Sequence, residues 1–91
     1  MEKRVYFEVH GLVQNVGFRY FTRKKAHAYG ITGWCRNTPN NTVEGEAQGD
    51  QPTLQLFISD LGVGPSHASV SKVTHDERPA VSGEQVFEVR H

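Results

Sequence analysis

The residues with the most chemistry to offer lie near the start of the chain, in Gly11-Leu12-Val13-Gln14-Asn15-Val16-Gly17-Phe18-Arg19. An alternating apolar segment precedes this stretch and a helical stripe follows it. A strand that passes into a helix through a glycine-bearing turn leaves several backbone N–H groups without intrahelical partners. Those donors converge at the positive end of the helix dipole, where a phosphate or another anion is favoured. Arg19 stands at the mouth of the turn, with a permanent charge and a planar fork of donors matched to phosphate oxygens. The stretch reads as an anion cradle.

The other reactive side chains do not assemble a second centre. His10, His27, His67, His75 and His91 show no close pair at ligand spacing, and one cysteine cannot make a zinc cluster. No metal and no cofactor are expected. Cys35 follows the large apolar Trp34 and has no partner base nearby in sequence, so it reads as a packed thiol rather than a nucleophile. The glycine turn is not a Walker A loop, because no Gly-Lys-Ser/Thr follows it. Arg23, Lys24 and Lys25 continue the basic run beyond Arg19 and read as a solvated helix face.

The elements that must hold the cradle can be read in order. Residues 3–10 alternate, with Val5, Phe7 and Val9 on one face and Arg4, Tyr6, Glu8 and His10 on the other, as in a half-buried strand. From Phe18 to Tyr29 the residues Phe18, Phe21, Thr22, Ala26 and Tyr29 form a helical stripe that Gly30 stops. Ile31 to Arg36 reads as a second strand and Thr42 to Gln48 as a third, joined by the turn Thr38-Pro39-Asn40-Asn41. Asp50 is a good N-cap with Pro52 in the first turn, and Leu54, Phe57, Ile58 and Leu61 mark the next helix. Gly62-Val63-Gly64-Pro65 is expected to break it. Ala68 to His75 reads as a strand with imperfect alternation, which suggests a bulge. Asp76 to Glu84 reads as a polar loop, and Gln85 to Arg90 as a last short strand.

That order is strand, helix, strand, strand, helix, strand, with a short C-terminal strand appended. It predicts an α+β ferredoxin-like split β-α-β sandwich, an antiparallel sheet with both helices on one face. The opposite sheet face, carrying Glu8 and His10, is expected to be largely solvated. The 91 residues make a single domain, 1–91. No apolar run approaches the ~18 residues that span a bilayer, and the first residues lack the apolar core of a secretion signal. The lone cysteine fits a reducing compartment, so a cytoplasmic location and no membrane partner are expected. Ten basic and ten acidic side chains balance, whereas a nucleic-acid binder carries a basic excess. Nucleic acid is not an expected partner, and a monomer is the simplest state.

The cradle sequence resembles the first signature of the acylphosphatase family. Gly33-Trp34-Cys35-Arg36-Asn37, followed by Val43 and Gly49, resembles the second, so the resemblance spans nearly the whole chain. It implies hydrolysis of the carboxyl–phosphate anhydride of a small acyl phosphate to a carboxylate and inorganic phosphate, without a metal or a covalent intermediate. Inorganic phosphate would then bind as product or inhibitor. Arg19 matches the family's phosphate-binding arginine and Asn37 its catalytic asparagine. The backbone of Asn15, Val16, Gly17, Phe18 and Arg19 matches its phosphate-binding loop. Asn15 and Asn41 stand where the family usually has glycine, and Asn is the least costly residue where φ must be positive.

Two other readings compete. One is a phosphate- or acyl-phosphate-binding module with slow or lost turnover, for which Asn15 is the reason. The other is an RNA-binding ferredoxin-like domain, which would display base-stacking aromatics on its central strands. The strand from Thr42 to Gln48 has no aromatic residue, which disfavours RNA.

Overall fold

The computed structural model describes residues 2–14 and 17–90. Its elements are β1 (Glu2–Leu12), α1 (Phe18–Tyr29), β2 (Thr32–Asn37), β3 (Val43–Asp50), α2 (Gln51–Val63), β4 (Ser69–Arg78) and β5 (Phe87–Arg90). The strands lie in the order β4-β1-β3-β2-β5. The first four pair antiparallel, which is the expected split β-α-β arrangement. β5 instead pairs parallel with β2, so the sheet is mixed. The chain leaves β4 at one edge and crosses to the other, arriving in the direction of β2.

Alternation in the strands puts one apolar face under the helices. Phe7, Val9, Cys35, Val43, Ala47 and Phe87 of the sheet are buried against Phe18, Ala26, Leu54, Phe57 and Leu61. Phe57 sits at the centre, meeting Phe7 and Phe87 edge-on with ring centroids 6.0 Å away in each case. Such aromatic pairs add about 0.5–1.5 kcal/mol beyond the area they bury. Tyr29 of α1 donates its hydroxyl to Asp60 of α2, tying the helices to each other. No helix among the described residues is long and apolar enough to cross a membrane.

The helix ends follow local chemistry. α1 spans the expected residues and ends at Gly30, whose φ of 68° lets its N–H reach back to the last carbonyls. Asp50 caps α2 by accepting from the Thr53 N–H at 3.0 Å. α2 runs through Gly62 to Val63 and is capped at Gly64, so it ends within the expected stretch and Gly62 lies in its last turn rather than being its stop. A single glycine inside a helix costs only about 1 kcal/mol, which packing of Leu54, Phe57 and Leu61 outweighs.

One expectation about the second half needs correction. β4 continues to Arg78, where a polar loop was expected from Asp76. It is an edge strand with little core face, so hydrogen bonding to β1 defines it rather than apolar alternation. The register shifts between His10 and Gly11, leaving Ser71 as the extra residue of the expected bulge. Gly11 is required there, since a Cβ would lie 2.1 Å from the Ser69 carbonyl oxygen.

The open sheet face is also less solvated than expected. Residues 79–86 strap across one end of it and bury Arg4 to 3% exposure. Arg4 donates to Glu46, to Gln48 at 3.2 Å and to both carboxylate oxygens of Glu84, the shorter at 2.7 Å. Gln48 exchanges two 2.8 Å hydrogen bonds with the backbone of Val81. Burial disfavours the Glu84 charge, but hydrogen bonds from Arg4 and Thr32 outweigh it and hold the carboxyl below the usual glutamate range.

Candidate active site

The site forms where β1 ends and α1 begins. Gly17 takes a left-handed φ of 74° ahead of the helix, and the first turn has neither a side-chain cap nor an acidic residue. The first-turn N–H groups therefore have no intrahelical acceptor, and the dipole's positive end carries no carboxylate of the helix itself. Gly17, Phe18 and Arg19 are where the expected cradle puts them. The Asn15 and Val16 part of that cradle lies outside the described residues.

Arg19 is half-buried at the helix start and donates through Nη1 to the Arg90 carbonyl at 3.2 Å. A cavity of about 320 Å³ opens beside it. Asn37 lines the same cavity from the end of β2. Strand alternation sends Asn37 to the helix side with Cys35, while Trp34 and Arg36 face away. Among the described residues, the Asn37 side-chain amide makes no hydrogen bond and is open to a ligand. The fold thus joins the two expected catalytic residues across a long stretch of sequence.

The turn after Asn37 is held by its own threonines. The hydroxyls of Thr38 and Thr42 share a hydrogen bond at 2.6 Å, and Thr42 also donates to Glu8 at 2.7 Å. Asn41 has φ 64°, the left-handed geometry its place in the turn suggested. Gln14 completes the arrangement, donating through Nε2 to the carbonyls of Thr38 and Thr42 at 2.9 Å each. Sequence reasoning gave Gln14 no role of its own. The contact is between distant segments, and no local spacing signals it.

Cys35 lies under the site, fully buried. Burial pushes its thiol pKa up to about 12, and the nearby Arg19 charge pulls it back only in part. A thiolate is absent at neutral pH, in keeping with a packed thiol. The thiol points at the Arg19 carbonyl at 3.9 Å. Arg23 is exposed, as expected of a solvated helix face, and it also borders the cavity with Arg19. Helical spacing of four was the signal that could have found it. Among the described residues, no three His, Cys, Asp or Glu side chains come together as a metal site needs.

Comparison with known proteins agrees with this geometry. A sequence profile described as Acylphosphatase matches residues 5–89. An acylphosphatase of Chlorobaculum tepidum is 49% identical over 72 residues, covering 79% of this chain and 78% of the relative. One of Geobacillus thermodenitrificans is 39% identical over 89 residues, covering 98% and 95%. The crystal structure of acylphosphatase from Bacillus subtilis superposes with a TM-score of 0.93 at 30% identity, each chain fully covered. Matched in profile, sequence and fold over nearly its whole length, the chain belongs to the acylphosphatase family and is an acyl phosphate hydrolase.

Proposed function

We propose that Arg19 and the backbone of residues 15–19 hold the phosphoryl group while Asn37 positions the attacking water. The observation that carries this reading is the shared cavity of Arg19 and the unengaged Asn37 amide. The water oxygen forms a bond to phosphorus as the bond to the acyl oxygen breaks. The bonding pair leaves with the carboxylate, and the water proton passes to a phosphoryl oxygen of the substrate. An acyl phosphate is already activated, so positioning and charge stabilisation suffice without a metal or a covalent intermediate. Fixed N–H donors and Arg19 would meet the negative charge that spreads over the phosphoryl oxygens.

The product phosphate should compete for the same cradle. Losing one preorganised donor typically lowers the rate by roughly 10²–10³. Arg19→Ala is expected to lower kcat/KM by at least that much and to abolish competitive inhibition by phosphate. Wild-type kinetics in folded Arg19→Ala would overturn the assignment.

The same reading makes the protein a cytoplasmic monomer that does not bind nucleic acid. On the open sheet face Trp34 is flanked by Arg36 and Arg90, whose guanidinium carbons lie 5.4 and 4.6 Å from its ring. Tyr6 lies beneath Arg78 and donates to Glu44 at 2.7 Å. These aromatics are occupied, and Glu44 and Glu46 between them would repel a phosphate backbone. Lys72 and Asp76 on the edge strand oppose pairing with another copy.

A further inference from the structure

We infer that Arg23 reads the acyl half of the substrate, so that the enzyme favours acyl phosphates whose acyl group carries a second negative charge. This rests on the proposed seating of the phosphoryl group at Arg19. Four positions apart on α1, Arg19 and Arg23 share a helix face, and both line the same cavity. Every other arginine has a described partner. Arg4 meets Glu46 and Glu84, Arg36 meets Glu44, Arg90 meets Glu88, Arg78 donates to the Glu77 carbonyl, and Arg19 donates to that of Arg90. Arg23 makes no hydrogen bond or ion pair among the described residues. Among the described residues, no carboxylate side chain lines the cavity.

Two like charges one turn apart repel, and the first lies at the positive end of the helix dipole. A phosphoryl group at Arg19 neutralises that charge and offsets the dipole, and a second anionic group on the acyl chain supplies the partner that Arg23 lacks among the described residues. Arg23 lies one turn further along, about 6 Å down the helix axis. A short dicarboxylic acyl chain spans that distance. Val13 and Val89 give the same cavity apolar lining that a carbon chain can lie against.

Succinyl phosphate and butyryl phosphate have the same chain length and differ in the terminal carboxylate, so they isolate the proposed contact. At low ionic strength, wild-type kcat/KM should favour succinyl phosphate by about fivefold, the size of a partly exposed charge pair. The preference should lie in KM rather than kcat and shrink with added salt. Arg23→Gln should abolish it, Arg23→Lys should keep part of it, and Arg23→Glu should reverse it. The exposed position and good helix propensity of these residues make folded variants the expectation. Equal loss on both substrates in Arg23→Gln, or no preference in the wild type, overturns the inference. Failure of the Arg19 reading shows separately, as Arg19→Ala hydrolysing both substrates like the wild type.

Discussion

The Arg19 guanidinium donates to the main-chain carbonyl of Arg90 at 3.2 Å, joining the first helix to the last strand. That strand is β5, laid parallel against β2, and the Gly33 N–H donates to the Val86 carbonyl where the two meet. β2 also carries Asn37 at its end. The cation and the amide of the site therefore rest on one support. Motion of β5 relative to β2 would change their separation, and a misplacement of about 1 Å can cost roughly 10² in rate.

Gln14 fixes the other side of the site. Gln14→Leu removes two 2.9 Å hydrogen bonds and leaves the Thr38 and Thr42 carbonyls without that donor. At about 0.5–1.5 kcal/mol for each bond, the expected loss of stability is about 1–3 kcal/mol by urea unfolding. The hairpin bearing Asn37 should loosen from the cradle, and kcat should fall by about tenfold with a smaller change in KM. Unchanged kcat in the destabilised variant would mean that the threonine network alone positions Asn37.

The strap of residues 79–86 makes stability depend on acid. The Glu84 carboxyl is held below the usual glutamate value by Arg4 and Thr32 in spite of burial. A depressed folded pKa contributes stability that is fully present above the unfolded value of about 4.3 and is lost as pH falls through the folded one. The urea midpoint of the wild type should therefore drop below about pH 4.3. Glu84→Gln should be less stable at neutral pH, with the gap narrowing as pH falls. A constant gap across that window would show that the carboxylate charge contributes nothing to the strap.

Cys35 offers a control on the chemistry. With its thiol fully buried and its pKa pushed up to about 12, native protein should resist iodoacetamide at neutral pH and keep full activity. Alkylation is expected only after denaturation. Rapid modification of the native enzyme with loss of turnover would place a reactive thiol in the site.

Much of this was legible in the sequence, for identifiable reasons. The stripe from Phe18 to Tyr29 with Gly30 behind it, and Asp50 ahead of Leu54 and Phe57, are local signals, and both helices lie where those signals put them. Arg19 was singled out by its place at the mouth of the glycine turn and by the first family signature, Asn37 by the second signature alone, and the fold puts both on one cavity. What sequence could not carry was contact between distant polar groups. Arg4 and Gln48 alternate like solvent-facing residues, and only the strap over them turns that end of the face into a buried network. β4 from Asp76 to Arg78 lacks apolar alternation because pairing with β1 and polar contacts across it, not apolar packing, hold it in the sheet. Gln14 and Arg23 were visible as residue types, but their roles depend on what the fold sets opposite them.

The most direct measurement is steady-state hydrolysis of benzoyl phosphate in excess EDTA by wild type and by Asn37→Ala. Hydrolysis that persists in the chelator and falls by about 10²–10³ in the variant, with phosphate inhibition largely retained, is the expected result. Loss of wild-type activity in EDTA, or wild-type turnover by folded Asn37→Ala, would contradict a metal-free site in which Asn37 positions the water.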